Sequence, residues 1–123
     1  MIIKRLPDTE FELMRIIWHS KPPVTTNEIM EQLKSNISWK PQTVLTMLVR
    51  LIEKGFLESA RVGRERNYTP VITEQEYMDV ETGEFLSRYR GNSVGGLVKT
   101  MYDGKNMTAE DIRELKDWLK ERE

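Results

Sequence analysis

The sequence predicts a mainly α-helical protein with one small β-hairpin, organised as a head of three helices plus the hairpin and a helical tail. Three observations predict it. Apolar residues recur at helical spacing in three stretches before Gly55, the pattern turns extended on either side of Gly63, and helical spacing returns after Thr73. The expected boundary divides the chain into residues 1–72 and 73–123.

The first helix is expected from about Asp8 to His19, where Phe11, Met14 and Trp18 share a face that Leu13 and Ile17 widen. Asp8 reads as its cap, and Lys21-Pro22-Pro23 ends it because proline lacks a backbone donor. Val24 suggests one short strand. Thr25-Thr26-Asn27-Glu28 then has the form of a capping box, opening a second helix that carries Ile29, Met30 and Leu33 inward. It is expected to stop within Lys34-Ser35-Asn36-Ile37-Ser38.

Pro41 suits a first helical position, and Gly55 suits a left-handed C-terminal turn, so a third helix is expected from Pro41 to Lys54. Val44, Leu48, Leu51 and Ile52 make its dry side. Gln42, Thr43, Thr46, Arg50 and Glu53 make its hydrogen-bonding side. Beyond it, Phe56–Val62 and Arg66–Val71 read as two extended segments joined at Gly63-Arg64-Glu65, with Arg61, Arg64 and Arg66 around the tip.

The tail opens on a second capping box, Thr73 to Glu76, and carries Tyr77, Val80, Phe85, Leu86 and Tyr89, with Gly83 expected to interrupt it and Gly91 to close it. A short segment from about Ser93 to Tyr102 holds Val94, Leu97, Val98 and Met101 around the helix-weakening pair Gly95-Gly96. A last helix from Thr108 places Ile112, Leu115, Trp118 and Leu119 on one side. These stripes are too few to close a core around roughly 50 residues, so burial against a second copy is expected. The competing arrangement is a monomer whose tail folds back on the head.

Composition narrows the chemistry. The 123 residues contain no cysteine and one histidine, which removes disulfides and thiolate metal sites and most catalytic constellations. His19 reads as a helix-terminal residue facing the dipole, and Glu10 and Glu12 as first-turn carboxylates. No catalytic residue, metal site or cofactor is expected. With no long apolar run, the chain reads as cytoplasmic, without membrane insertion. The net charge of −1 is unevenly spread: eleven basic against eight acidic residues up to Ile72, then eight against twelve. A basic front would orient the molecule on a polyanion.

Helix, short strand, helix, turn, helix, hairpin is the winged helix-turn-helix layout, in which the third helix enters the DNA major groove and the hairpin lies along the backbone. Gln42, Thr43 and Thr46 are then the base-reading candidates, Gln42 by bidentate pairing with adenine. Lys40, Arg50, Arg61, Arg64 and Arg66 are the candidates for DNA backbone contacts. For an arbitrary helix the polar face would be merely solvated; its place between that layout and an arginine-tipped hairpin reverses the preference. Tyr77, Val80, Phe85, Leu86, Tyr89, Leu97, Val98, Met101, Ile112, Leu115, Trp118 and Leu119 are the dimerisation candidates. The expected partners are double-stranded operator DNA and a second copy. The alternative is a winged-helix protein-interaction module that does not bind DNA.

Phe11-Glu12-Leu13-Met14-Arg15-Ile16-Ile17-Trp18, the run from Ser38-Trp39-Lys40-Pro41-Gln42-Thr43 through Arg50-Leu51-Ile52-Glu53-Lys54-Gly55-Phe56-Leu57, and Tyr68-Thr69-Pro70 resemble the penicillinase repressors, the BlaI/MecI family, nearly end to end. The resemblance implies a homodimeric repressor on a palindromic operator, often of a β-lactamase or resistant penicillin-binding protein operon, and thus of antibiotic resistance. It also implies release through a sensor protease pathway that cleaves the dimerisation region. Two positions depart from the family. Leu45 stands where the resistance repressors carry a basic or amide residue, so a different operator sequence is expected. Thr100-Met101 stands at their Asn-Phe cleavage bond, which leaves the inducing signal open.

Overall fold

The computed structural model describes residues 2–34 and 38–123. Helix α1 spans Asp8–Trp18 and packs Leu13, Met14 and Ile17 into the core. Its cap differs from expectation. Pro7 occupies the N-cap position without a side-chain hydrogen bond, and Asp8 is the first helical residue, where it and Glu10 face the positive end of the helix dipole. Proline is suited to this place because its carbonyl still accepts the Phe11 N–H at 2.9 Å.

Strand β1, Val24–Thr25, leads into α2, Thr26–Leu33. The capping box is formed: Thr25 Oγ1 accepts the Glu28 N–H at 3.1 Å, and Glu28 Oε1 accepts the Thr25 N–H at 3.4 Å. Helix α2 ends at Leu33 with Lys34 as its C-cap; Ser35, Asn36 and Ile37, within the expected stop, lie outside the described residues. Helix α3 runs Pro41–Glu53 with proline in its first turn, and Val44, Met47, Leu48 and Leu51 are buried. Gly55, at φ 82°, reverses the chain. The Gly55 N–H then reaches the Ile52 carbonyl at 3.0 Å and the Phe56 N–H reaches that of Leu51 at 2.9 Å. This double closure, with Phe56 and Leu51 both buried, is the Schellman arrangement.

Strands β2, Leu57–Val62, and β3, Glu65–Pro70, pair antiparallel from Leu57↔Pro70 to Val62↔Glu65. Glu65 therefore belongs to a strand and the loop is Gly63-Arg64 alone, with Gly63 at φ 66°. β1 adds to the free edge of β3 through Val24↔Tyr68, giving the order β1-β3-β2.

Helix α4, Glu74–Arg88, begins at the expected capping box, Thr73 and Glu76 exchanging bonds of 2.9 and 3.1 Å, and continues through Gly83 without a break. A lone glycine costs a helix about 1 kcal/mol, too little to end a capped one. Tyr77 corrects a second expectation. It is fully buried in the head, its ring centroid 5.6 Å from those of Phe11 and Phe56 and 5.7 Å from that of Trp18. Its hydroxyl accepts the Leu6 N–H at 2.7 Å and donates to Glu81 Oε1 at 2.6 Å. Burial, reinforced by Glu81, pushes the phenol up to about 12, so it stays a donor throughout the physiological range. The start of α4 is further tied back by Trp18 Nε1, which donates to the Ile72 carbonyl at 2.9 Å, and by His19 Nε2, which lies 3.0 Å from Glu74 Oε1. Tyr77 is thus head core, not dimer surface, and the compact head unit runs Met1–Phe85, past the expected boundary at Ile72.

Glu10 is also more than a first-turn carboxylate. Only 3% exposed, it is paired with Lys54 at the C-cap of α3. Removing one partner of a fully buried pair costs roughly 3–5 kcal/mol. The Lys54 side chain is 34% exposed, so Lys54→Met is expected to cost about 2 kcal/mol, read as a lower urea midpoint at unchanged slope. Glu10→Gln in the same chain should restore much of that loss. An unshifted midpoint in Lys54→Met would show that the pair contributes nothing.

The second compact unit is Leu86–Glu123. Helix α5, Val94–Asp103, is capped by Ser93 Oγ, which accepts the Gly96 N–H at 2.9 Å. A Cβ at Gly96 would stand 2.9 Å from that oxygen, so a larger residue there would require the Ser93 side chain to shift. Helix α6, Ala109–Lys120, has a capping box the sequence reading did not identify, Thr108 with Asp111, and bonds to Thr108 hold the Asp111 carboxyl below its usual range. Neither α5 nor α6 has a buried residue. An open, mostly apolar groove of ≈ 440 Å³ runs between them, with Val98, Ile112, Leu115 and Leu119 among its walls.

Candidate nucleic-acid interface

The outer face of α3 follows from its inner one. With Val44, Met47, Leu48 and Leu51 held in the core, the 3.6-residue period turns Gln42, Thr43, Leu45, Thr46, Val49 and Arg50 to solvent. Gln42, Thr43, Thr46 and Arg50 are where the sequence analysis expects them. Leu45 and Val49, 41% and 53% exposed, were not assigned to either side. The hydroxyl of Thr46 is already engaged: Oγ1 donates to the Gln42 carbonyl one turn back at 2.9 Å. Its proton is therefore unavailable to a base edge unless that bond opens.

The hairpin is shaped by its register. Leu57, Ser59 and Arg61 share one face of β2, and Pro70, Tyr68 and Arg66 lie opposite them on β3. Leu57 and Tyr68 enter the core, so the same face, extended past the end of the core, carries the cross-strand neighbours Arg61 and Arg66. Arg64 projects from the loop between them in sequence. The tip is tethered to α2 by Asn27 Nδ2, which donates to Glu65 Oε1 at 3.0 Å. Arg66 Nη1 donates to Ser59 Oγ at 2.9 Å, so one wing guanidinium is held against its own strand pair.

Most of the cations bonded to carboxylates lie away from this face, whereas Lys4 and Lys21 share with it the lack of an ion pair among the described residues. Arg5, Arg15, Lys34 and Lys54 are each paired with a carboxylate. Among the described residues Lys40, Arg50, Arg61, Arg64 and Arg66 take part in no ion pair. Arg61 and Arg66 face each other directly, and a like-charged cross-strand pair destabilises a hairpin by up to about 1 kcal/mol. Phosphate oxygens between or beside them would turn that repulsion into attraction.

The tail candidates fall into two groups. Val80 and Phe85 are half-buried in the first unit. In the second, Leu97, Val98, Ile112 and Leu115 are half-buried, while Leu86, Tyr89, Met101, Trp118 and Leu119 are exposed. Among the described residues no three acidic or histidine side chains gather as metal ligands, and no helix is long and apolar enough to cross a membrane.

A sequence profile described as penicillinase repressor matches residues 6–121. The chain is 37% identical over 120 residues to the penicillinase repressor of Bacillus licheniformis, spanning 97% of this chain and 92% of that one. It is 25% identical over 114 residues to the methicillin resistance regulatory protein MecI of Staphylococcus aureus, spanning 93% and 92%. Among solved structures it is similar to the DNA binding domain of the repressor BlaI, with 41% identity and a TM-score of 0.55 over 62% of this chain and 92% of that one. It is also similar to the Bacillus licheniformis BlaI monomeric form in complex with the blaP half-operator, with 43% identity and a TM-score of 0.51 over the same shares.

Proposed function

The chain belongs to the penicillinase repressor family, whose members are transcriptional regulators and not enzymes, and from that premise we propose a sequence-specific repressor that grips a palindromic operator as a homodimer. The observation that carries this reading is a group of cations without an ion pair among the described residues, Lys40 and Arg50 on α3 and Arg61, Arg64 and Arg66 on the hairpin. The half-operator complex of the similar BlaI head supports the same role for this head. Homodimerisation rests on α5 and α6, two amphipathic helices that bury no residue fully. In this assignment Gln42 and Thr43 read base edges and the five cations hold phosphates.

Release by a sensor protease, as the family resemblance implies, would act on Thr100-Met101, which lies within α5, where Thr100 Oγ1 donates to the Gly96 carbonyl at 3.0 Å. Cleavage there requires α5 to unwind locally. The regulated genes, by the same resemblance, are those of β-lactam resistance.

The test is a binding selection on randomised duplex DNA, repeated with two variants. Gln42→Ala is expected to relax preference at one base position per half-site by roughly 1–3 kcal/mol, the worth of one bidentate contact. Arg64→Ala is expected to weaken all sequences alike and to lower the salt dependence by about one phosphate per head. If both variants select the wild-type site with wild-type affinity, the contact assignment fails; if the wild type selects nothing, the repressor reading fails with it.

A further inference from the structure

We propose that Leu45, together with the methyl of Thr46, reads thymine 5-methyl groups, so that the operator half-site is specified partly by apolar contacts. The inference deepens the DNA-binding reading and rests on it. On the outward face of α3, Leu45 and Val49 are exposed four residues apart, and Thr46 lies beside Leu45, one turn from Gln42, on the same side of the helix. Because Thr46 Oγ1 gives its proton to the Gln42 carbonyl, the side chain offers an outside partner its methyl and an acceptor oxygen but no donor. The middle of the reading face therefore presents a strip of Leu45, Val49 and the Thr46 methyl and is poor in donors.

Two exposed apolar side chains are too small a patch to require a partner by themselves, so the case for an occupant comes from their place on the reading face. The charges around them point to a polyanion. Lys40 precedes the helix, Arg50 follows Val49, and neither takes part in an ion pair among the described residues. Within the major groove the thymine methyl is the apolar feature among the hydrogen-bonding groups of the base edges. A leucine offers no hydrogen bond to those groups and would leave them desolvated and unpaired if it faced guanine or adenine. The strip therefore favours thymine and disfavours the other bases at the positions it covers.

Uracil differs from thymine by that methyl alone, so substitution in the DNA tests the contact without touching the protein. The full chain is bound to its selected duplex with each thymine replaced in turn by uracil, and the series is repeated with Leu45→Ala and Thr46→Ser. At one or two thymines per half-site, uracil is expected to weaken the wild type about three- to fivefold, the worth of one buried methyl. The effect at one such position should vanish in Leu45→Ala or Thr46→Ser, which lose the partner group. Equal binding to thymine and uracil at every position, with site selection intact, overturns this inference and leaves the repressor reading standing. So does a uracil effect that persists undiminished in both variants. Loss of the dimer in Leu45→Ala would make the strip a contact between copies and also overturn it. Absence of any sequence preference would overturn both readings.

Discussion

A chain ending at Phe85 is expected to fold as a monomer that binds operator at least about a hundredfold more weakly than the full chain, whereas a chain ending at Ile72 is expected not to fold stably. The contrast comes from Tyr77. The shorter truncation removes an aromatic side chain buried against Phe11, Trp18 and Phe56, a loss of about 3–5 kcal/mol when such a residue is cut to alanine. It also leaves the Leu6 N–H without the phenol that accepts it, a further cost of about 1–3 kcal/mol. A small domain has roughly 5 kcal/mol or little more to lose. The longer truncation keeps all of these contacts and removes α5 and α6, taking away the proposed pairing surface and with it the second head. Urea unfolding and sedimentation velocity on the two fragments decide the matter. Equal urea midpoints would show that Tyr77 does not hold the head together, and a dimeric 1–85 fragment would show that the tail does not pair the copies.

Operator affinity is expected to fall by about 10³- to 10⁵-fold between roughly 50 and 200 mM salt, as for a protein that contacts about six to ten phosphates. One phosphate for each of the five proposed contact residues on each head would give about ten such contacts in a dimer. Neutralising Arg61 and Arg66 to glutamine should flatten the logarithmic salt slope by up to about 3.6, at roughly 0.9 per phosphate. The same change relieves a like-charged cross-strand pair, so the free head should become slightly more stable, by a few tenths of a kcal/mol. Opposite signs for binding and stability are the mark of charges placed for a ligand. Salt-independent binding would end the electrostatic account of this face, and a less stable double variant would show that Arg66 matters more for its bond to Ser59.

Sequence alone determined the elements whose information is local. Helical spacing placed α1, α2 and α3, Thr25 with Glu28 and Thr73 with Glu76 announced the caps of α2 and α4, and Gly55 and Gly63 marked where only a left-handed residue sits without strain. The outward position of Gln42, Thr43, Thr46 and Arg50 followed from the same period. Tertiary structure decided which neighbour each stripe covers. The apolar start of α4 fitted a dimer face as well as a core until Leu6, 71 residues away, was seen to donate to Tyr77. Glu10 looked complete as a dipole partner until the fold brought Lys54 beside it, and Thr46 was a base-reading candidate of open chemistry until its hydroxyl was found donating to the Gln42 carbonyl. Periodicity and caps act within a turn or two of chain, whereas burial and hydrogen-bond partners are settled by which surfaces meet once the chain has closed on itself.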